Sequence, residues 1–190
     1  GSRRHELPCP ARLRWLVELD NPFTRTNRAA CILETLRLEP GMHVLDAGCG
    51  PGRLTVPAAK AVGEQGRVVA MDIQAGMLAR VREKPRREGL ANIEFLSAGL
   101  GQGKLPASRF DRALLVTVLG EIPNRAGALA ELFDALKPGG VLAVTEVIFD
   151  PHFQPRSTVS RLAEEAGFGI GGISGNRMAF TMLLEKPLAG

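Results

Sequence analysis

Short runs of apolar, often β-branched residues alternate along this chain with stretches whose apolar positions recur every three to four residues, and polar or glycine-rich turns separate the two. The runs predict strands at His43 to Ala47, Arg67 to Met71, Ile93 to Leu96, Phe110 to Val116 and Val141 to Ile148. Between them the spacing predicts a helix after Gly52 and another from about Gly76. A third carries Leu129, Leu132, Phe133 and Leu136 and is stopped by Lys137-Pro138-Gly139-Gly140. Val159, Leu162, Ala163 and Ala166 mark a further helix with Gly167 as its cap, and Phe168 to Ile173 and Met178 to Leu184 are close enough to pair antiparallel. Ahead of the first strand, Leu13, Leu16 and Val17 suggest a short helix broken at Asn21-Pro22, and Ala29, Ile32, Leu33 and Leu36 suggest another. Strands alternating with helices build a parallel sheet covered on both faces. The expected architecture is therefore α/β in a single domain over residues 1–190, with an N-terminal helical segment over 1–40 and the sheet core over 41–190.

Composition narrows the setting. A chain of 190 residues that is 45% hydrophobic can bury one sizeable core. Its longest apolar runs, such as Val141 to Val144, fall far below the roughly 18 residues of a membrane span. Arg3-Arg4-His5-Glu6 lacks the apolar stretch of a secretory signal, so a cytoplasmic protein is expected. Cys9, Cys31 and Cys49 form no close pair, which predicts reduced thiols and no metal site. The net charge of +4 concentrates no strong patch: Arg80, Arg82, Lys84, Arg86 and Arg87 are interleaved with Glu83 and Glu88 and read as a solvated helix face. Nucleic acid is therefore not the expected partner, while contact with a membrane surface and a homodimer both stay open.

The most informative segment is Val44-Leu45-Asp46-Ala47-Gly48-Cys49-Gly50-Pro51-Gly52-Arg53, a strand ending in an acidic residue that runs into alternating glycines. Glycine lets the backbone approach a ligand closely and take positive φ, while the helix that follows offers its free N–H groups to an anion. A dinucleotide loop would place its third glycine at position 53, where this chain has Arg53, so a nicotinamide-dependent oxidoreductase is disfavoured. Asp72 ends the second strand 26 positions after Asp46, where a carboxylate can accept both hydroxyls of a ribose.

This Asp-x-Gly-x-Gly-x-Gly form resembles the first motif of class I S-adenosylmethionine-dependent methyltransferases, of the methyltransferase-domain type 11/25 kind. Further features fall in that family's order between Gly41 and Pro187: Asp72, Phe110-Asp111, Leu119-Gly120-Glu121-Ile122-Pro123 and Leu136-Lys137-Pro138-Gly139-Gly140. The resemblance implies a Rossmann-like, doubly wound sheet of seven strands, mostly parallel with an antiparallel C-terminal hairpin. It also implies S-adenosylmethionine as cofactor, released as S-adenosylhomocysteine. The cofactor-binding set it implies is Asp46, Ala47, Gly48, Cys49, Gly50, Gly52, Asp72, Ile73, Met77, Gly99, Leu100, Val116 and Thr117. One departure stands out: after the third strand many relatives carry an acid for the adenine amino group, whereas this chain reads Ser97-Ala98-Gly99-Leu100.

Because the cofactor carries its own leaving group, the enzyme mainly aligns a nucleophile, and a base is optional. Three side chains beyond the strand ends are the catalytic candidates. Glu121 follows the fourth strand and either orients the acceptor or caps the helix after Pro123. Glu146 lies late in the fifth strand and either faces the site or pairs with an arginine. His152 lies in the loop beyond, with a side chain whose reference pKa is near neutral. Asp111 enters its strand at the opposite end and reads as structural. The expected reaction is methyl transfer to a small molecule. The alternatives are a lipid or macromolecular acceptor at an open site, and a non-catalytic S-adenosylmethionine-binding module.

Overall fold

A computed structural model describes residues 29–190. The expected helix around Leu13 lies outside these residues. The second expected N-terminal helix is α1 (Ala29–Leu36), and it is followed by β1 (His43–Ala47), α2 (Thr55–Val62), β2 (Arg67–Asp72), α3 (Ala75–Glu88), β3 (Ile93–Ser97) and β4 (Phe110–Val116). A single 3-10 turn, Leu119–Glu121, leads to α4 (Arg125–Ala135), β5 (Leu136–Val147), α5 (Arg156–Glu165), β6 (Gly169–Gly175) and β7 (Ala179–Glu185).

The strands form one seven-stranded sheet in the order β3-β2-β1-β4-β5-β7-β6. The first five are parallel, and β7 runs antiparallel to both β5 and β6, as the hairpin pattern predicts. The fifth strand differs from expectation. It begins at Leu136 rather than Val141, because Phe110 pairs with Leu136 before a register shift brings Arg112 opposite Val141. The Lys-Pro-Gly-Gly segment thus stays in the sheet instead of forming a separate turn.

The central strands read as near-continuous apolar runs because both of their faces are covered. On one face Leu45, Ala47, Met71, Ala113, Leu115, Leu142 and Val144 pack under α4 and α5 through Leu129, Leu132, Val159 and Leu162. On the other, Val44, Val68, Leu114 and Ala143 lie under Ile32 and Leu36 of α1 and Ala58, Ala59 and Val62 of α2, with Leu78 and Val81 of α3 beside Ala70. Polar side chains finish the helices. Asn92 Nδ2 donates to the carbonyls of Ala59 and Gly63 at the end of α2, and Lys186 Nζ to those of Phe133 and Leu136 at the end of α4.

At the amino ends of the strands, Asp111 accepts from the His43 N–H and from Lys137 Nζ, the structural role its position predicts. Burial alone would raise its pKa, but those donors outweigh it and hold the carboxyl below the ordinary range. The basic run of α3 is exposed, with Arg82 stacked on Phe95 at 4.9 Å and Arg87 facing Glu83 at 3.9 Å, as a solvated helix face requires. Among the described residues no helix is long and apolar enough to cross a membrane.

The chain order 3-2-1-4-5 reverses direction between β1 and β4. In open α/β sheets the ligand crevice forms at such a reversal, beyond the carboxyl ends of the strands.

Candidate functional site

The loop after β1 enters that crevice through a tight turn. Gly48, Gly50 and Gly52 have φ of 71°, 52° and 82°. Gly48 is fixed twice over, since a Cβ there would lie 2.5 Å from Val118 Cγ2 as well as in a left-handed backbone. This close approach joins the glycine loop to the turn after β4 across the reversal point. Gly50 faces open space where a Cβ would stand.

The loop's N–H groups are largely committed within the protein. Gly48 and Cys49 both donate to the Met71 carbonyl, Gly52 donates to the Cys49 carbonyl, and Gly50 donates to Asp72 Oδ2 at 3.0 Å. These four N–H groups therefore shape the turn rather than meet an anion. What this part of the loop offers a ligand is the open space over Gly50, where no Cβ stands.

Asp72 is buried at the end of β2, with Oδ2 on Gly50 and Oδ1 accepting from the Gln74 N–H at 2.8 Å. Each carboxylate oxygen accepts one backbone donor and keeps capacity for another. Asp46 faces the other way. Its Oδ2 takes the Thr55 hydroxyl at 2.6 Å, tying β1 to the first turn of α2. Burial pushes Asp46 up to about 6, with the Thr55 hydrogen bond and Arg53 opposing and Asp72 adding to the rise. Ala47 is buried in β1 and Cys49 beside it in the loop. Burial first, then the nearby Asp46 and Asp72 carboxylates, push the Cys49 thiol up, so it stays protonated and is no nucleophile.

Beyond β2 and β3, the exposed Ile73 reaches toward Gly99, where a Cβ would be 3.3 Å from Ile73 Cδ1. Leu100 is half-buried against the core, and Met77 is buried at the start of α3. The missing acid has a polar neighbour that sequence reasoning overlooked: Gln102 Oε1 accepts the Gly99 N–H at 3.2 Å. Only the fold of this loop brings Gln102 back onto Gly99. Val116 closes β4 half-buried, and Thr117 follows it with φ of 53°. A β-branched residue in the left-handed region is strained, and such strain gathers at functional sites. Thr117 is held there by its N–H on the Thr145 carbonyl and its hydroxyl on the Val116 carbonyl.

The catalytic candidates lie in the turn after β4, late in β5 and in the loop beyond it. Glu121 ends the 3-10 turn half-buried. It does not cap the following helix, because Asn124 is the cap residue and accepts the Gly127 N–H. Glu146 is 1% exposed, and its Oε2 accepts the Gln154 N–H at 2.9 Å. Among the described residues no arginine forms an ion pair with it. Burial drives Glu146 up to about 8, helped by Asp150 and opposed by the Gln154 hydrogen bond and by Arg125. His152 donates its backbone N–H to Asp150 Oδ1 at 2.7 Å. Its carbonyl lies against Gly120, where any Cβ would collide with it. Arg125 donates to the carbonyls of Leu119 and Gly120, which fixes the turn against the loop. Among the described residues no cluster of metal-ligating side chains is found.

The raised pKa of Glu146 has a measurable consequence. A carboxyl that holds its proton more tightly folded than unfolded stabilises below its unfolded value, near 4.5, and loses that contribution as pH rises toward 8. Glu146→Gln, neutral throughout, is expected to gain on the parent by about 3–4 kcal/mol between pH 5 and pH 8, or on the order of 10 °C in Tm. Thermal melts across that range check it, and parallel curves would contradict a buried, high-pKa Glu146.

Comparison with known proteins agrees with this geometry. The methyltransferase domain family matches residues 44–140. The ubiquinone/menaquinone biosynthesis C-methyltransferase of Erwinia tasmaniensis is 38% identical over 118 residues, 62% of this chain and 47% of that protein. The aklanonic acid methyltransferase of Streptomyces sp. (strain C5) is 38% identical over 109 residues, 57% of this chain and 50% of that protein. The chain thus spans about half the length of these curated relatives. A crystal structure of a SAM-dependent methyltransferase from Aquifex aeolicus superposes with a TM-score of 0.77 at 25% identity, covering 91% of this chain and 93% of that one. The family match covers just over half of the chain and begins at the strand that leads into the glycine loop. With the sheet order and the acid-glycine crevice in agreement, the chain belongs to the methyltransferase domain family, in its class I, S-adenosylmethionine-dependent branch.

Proposed function

We propose that this chain transfers the methyl group of S-adenosylmethionine to a small-molecule acceptor. The observation that carries the reading is the contact of Gly48 with Val118, which sets the glycine loop and the turn after β4 side by side at the sheet's reversal point, with Asp72 beneath and open space over Gly50. In this reading Gly48, Gly50 and Gly52 cradle the methionine part with Ala47, Cys49, Val116 and Thr117 around it. Asp72 takes the ribose hydroxyls, and Ile73, Met77, Gly99 and Leu100 enclose the adenine, with Asp46 positioning the loop through Thr55. The cofactor supplies an activated methyl group and its own leaving group. The protein's part is alignment, which contributes effective molarities on the order of 10⁵ to 10⁸ M. Glu121, Glu146 and His152 face the acceptor side, where they orient it or relay a proton.

The curated relatives support a small acceptor, since their names refer to quinone biosynthesis and to aklanonic acid. A second reading, an acceptor borne by a lipid surface, is favoured by Ile148, Phe149 and Met178, exposed together where the Ile148 N–H meets the Met178 carbonyl.

Calorimetric titration with S-adenosylmethionine, S-adenosylhomocysteine and NADH tests the cofactor. Binding of the two sulfur nucleosides without NADH is expected, and NADH binding alone would overturn the reading. Release of S-adenosylhomocysteine is then followed with phenolic, carboxylic and amine acceptors, free and in vesicles. Turnover of free acceptors supports the first reading and turnover only in vesicles the second. Binding without any turnover supports a non-catalytic module.

A further inference from the structure

Five buried side-chain polar atoms lack a hydrogen-bond partner among the described residues, and four of them belong to three residues at the end of β5 and in the segment after it: Glu146 Oε1, His152 Nδ1, and Nε and Nη2 of Arg156. Two of these residues, Glu146 and Arg156, meet at one aromatic ring, Phe180. Glu146 stands directly across from Phe180 in the β5–β7 pairing, so the two side chains share a face of the sheet. The Arg156 guanidinium lies 5.3 Å from the centre of that ring, and Phe153 meets it edge-on at 6.2 Å. Gln154 ties the group together, its N–H on Glu146 Oε2 and its amide on the His152 carbonyl.

The chemistry of these atoms is specific. Nε and Nη2 form one edge of the guanidinium, the edge that binds a planar oxyanion through two parallel hydrogen bonds. A buried guanidinium edge without an acceptor is costly unless something polar meets it. Arg156 also opens α5, a 10-residue helix whose start carries no side-chain cap, so the helix dipole adds positive potential at the same point. Phe153 and Phe180 make the surroundings of this edge apolar. The route to the cofactor crevice is short, since Gly48 touches Val118 and Gly120, two residues on, lies against the His152 carbonyl.

We propose that Arg156, with His152 and Glu146, forms a subsite that anchors the acceptor by an acidic oxygen, a carboxylate or phenolate carried on a small planar ring. The proposal rests on the methyltransferase reading and names the substrate class of that site. Burial pushes Glu146 up to about 8, so near neutral pH it offers a hydroxyl to such an oxygen instead of repelling it. The charged groups that act on it are Asp150, which raises its pKa further, and Arg125, which opposes the rise.

The test titrates the full chain, saturated with S-adenosylhomocysteine, with benzoate, 4-nitrophenol and benzylamine. Saturable binding of benzoate or 4-nitrophenolate is expected, with none for benzylamine, and the two anions separate a carboxylate from a phenolate preference. Arg156→Gln should weaken the anion at least about 10-fold and Arg156→Lys, which keeps the charge but loses the fork, by less, while S-adenosylhomocysteine affinity stays within about 2-fold. Benzoate affinity of the parent should fall as pH rises past about 8 as Glu146 ionises, and Glu146→Gln should abolish that fall. This pH arm decides the matter even where Arg156→Gln fails to fold. Absence of saturable anion binding in a chain that binds S-adenosylhomocysteine, or undiminished binding in Arg156→Gln, would overturn the subsite alone. Failure of S-adenosylhomocysteine to bind would instead overturn the methyltransferase reading, and the subsite with it.

Discussion

Asp72→Ala is expected to weaken binding of S-adenosylhomocysteine by about 100-fold or more. The carboxylate is buried at the end of β2 and already bears two backbone donors, Gly50 at 3.0 Å and Gln74 at 2.8 Å, leaving each oxygen able to accept one ribose hydroxyl. Hydrogen bonds to an ionised acceptor contribute roughly 1.5–3 kcal/mol each, so losing the pair costs about 3 kcal/mol or more, which is the stated factor. The substitution acts a second time through the protein. Without Asp72 the Gly50 N–H loses its acceptor, and the glycine loop loses the pin that sets its position relative to β2. Asp72→Asn separates the two effects, because its amide oxygen can still accept the Gly50 N–H while its NH₂ opposes the Gln74 donor. Calorimetry on both variants, alongside their melting curves, is the measurement. A dissociation constant unchanged in Asp72→Ala would remove this residue, and with it the assigned ribose site, from the account.

A large loss of stability is expected from Gly48→Ala. The new methyl group meets two independent obstacles. A residue bearing a Cβ at φ of 71° costs about 1–2 kcal/mol. The Cβ would also stand 2.5 Å from Val118 Cγ2 and 2.9 Å from Val118 Cγ1, an overlap of the kind that typically costs about 1–3 kcal/mol. Together they predict a destabilisation of roughly 2–5 kcal/mol and a fall in Tm on the order of 10 °C. The obstacles separate experimentally. Adding Val118→Ala gives the methyl group room but leaves the backbone strain, so the double variant should recover part of the loss and not all of it. Full recovery would mean that the left-handed backbone carries no cost, and no recovery would mean that the contact with Val118 does not limit this turn. Cofactor affinity should fall in both, since moving Gly48 away from Val118 opens the crevice at the sheet's reversal point.

The sequence was most legible where local rules and the fold agree. β1 and β4 begin and end where their apolar runs do, because strands covered on both faces must be apolar along their length. The C-terminal hairpin follows from two runs too close together for a crossover helix. The start of β5 was not legible. Pairing of Phe110 with Leu136 draws Lys137 to Gly140 into the sheet, and that pairing depends on a distant strand rather than on the residues themselves.

The candidate site divides in the same way. Asp46, the glycines and Asp72 could be named from order and spacing, because a strand followed by a Gly-rich turn leaves those residues one place to be. Their tasks could not be assigned from spacing. Asp46 and Asp72 look alike in sequence, yet one faces Thr55 inside the fold and the other holds the loop from below. Which lone pairs a neighbour already occupies depends on side chains far away in sequence.

By itself the sequence determined the layer architecture, the antiparallel ending and the segment that turns at the crevice, because periodicity and glycine act over a few residues. The tertiary structure decided the rest. It brought Gln102 back onto Gly99, seated Gly120 against His152, and set Glu146 and Arg156 at Phe180 with buried polar atoms unpaired. Glu146 and His152 could be named from their place after the fifth strand, but Gln102 and Arg156 do not stand out in the chain, since burial and hydrogen-bond satisfaction arise only when separate loops close over the same strand ends.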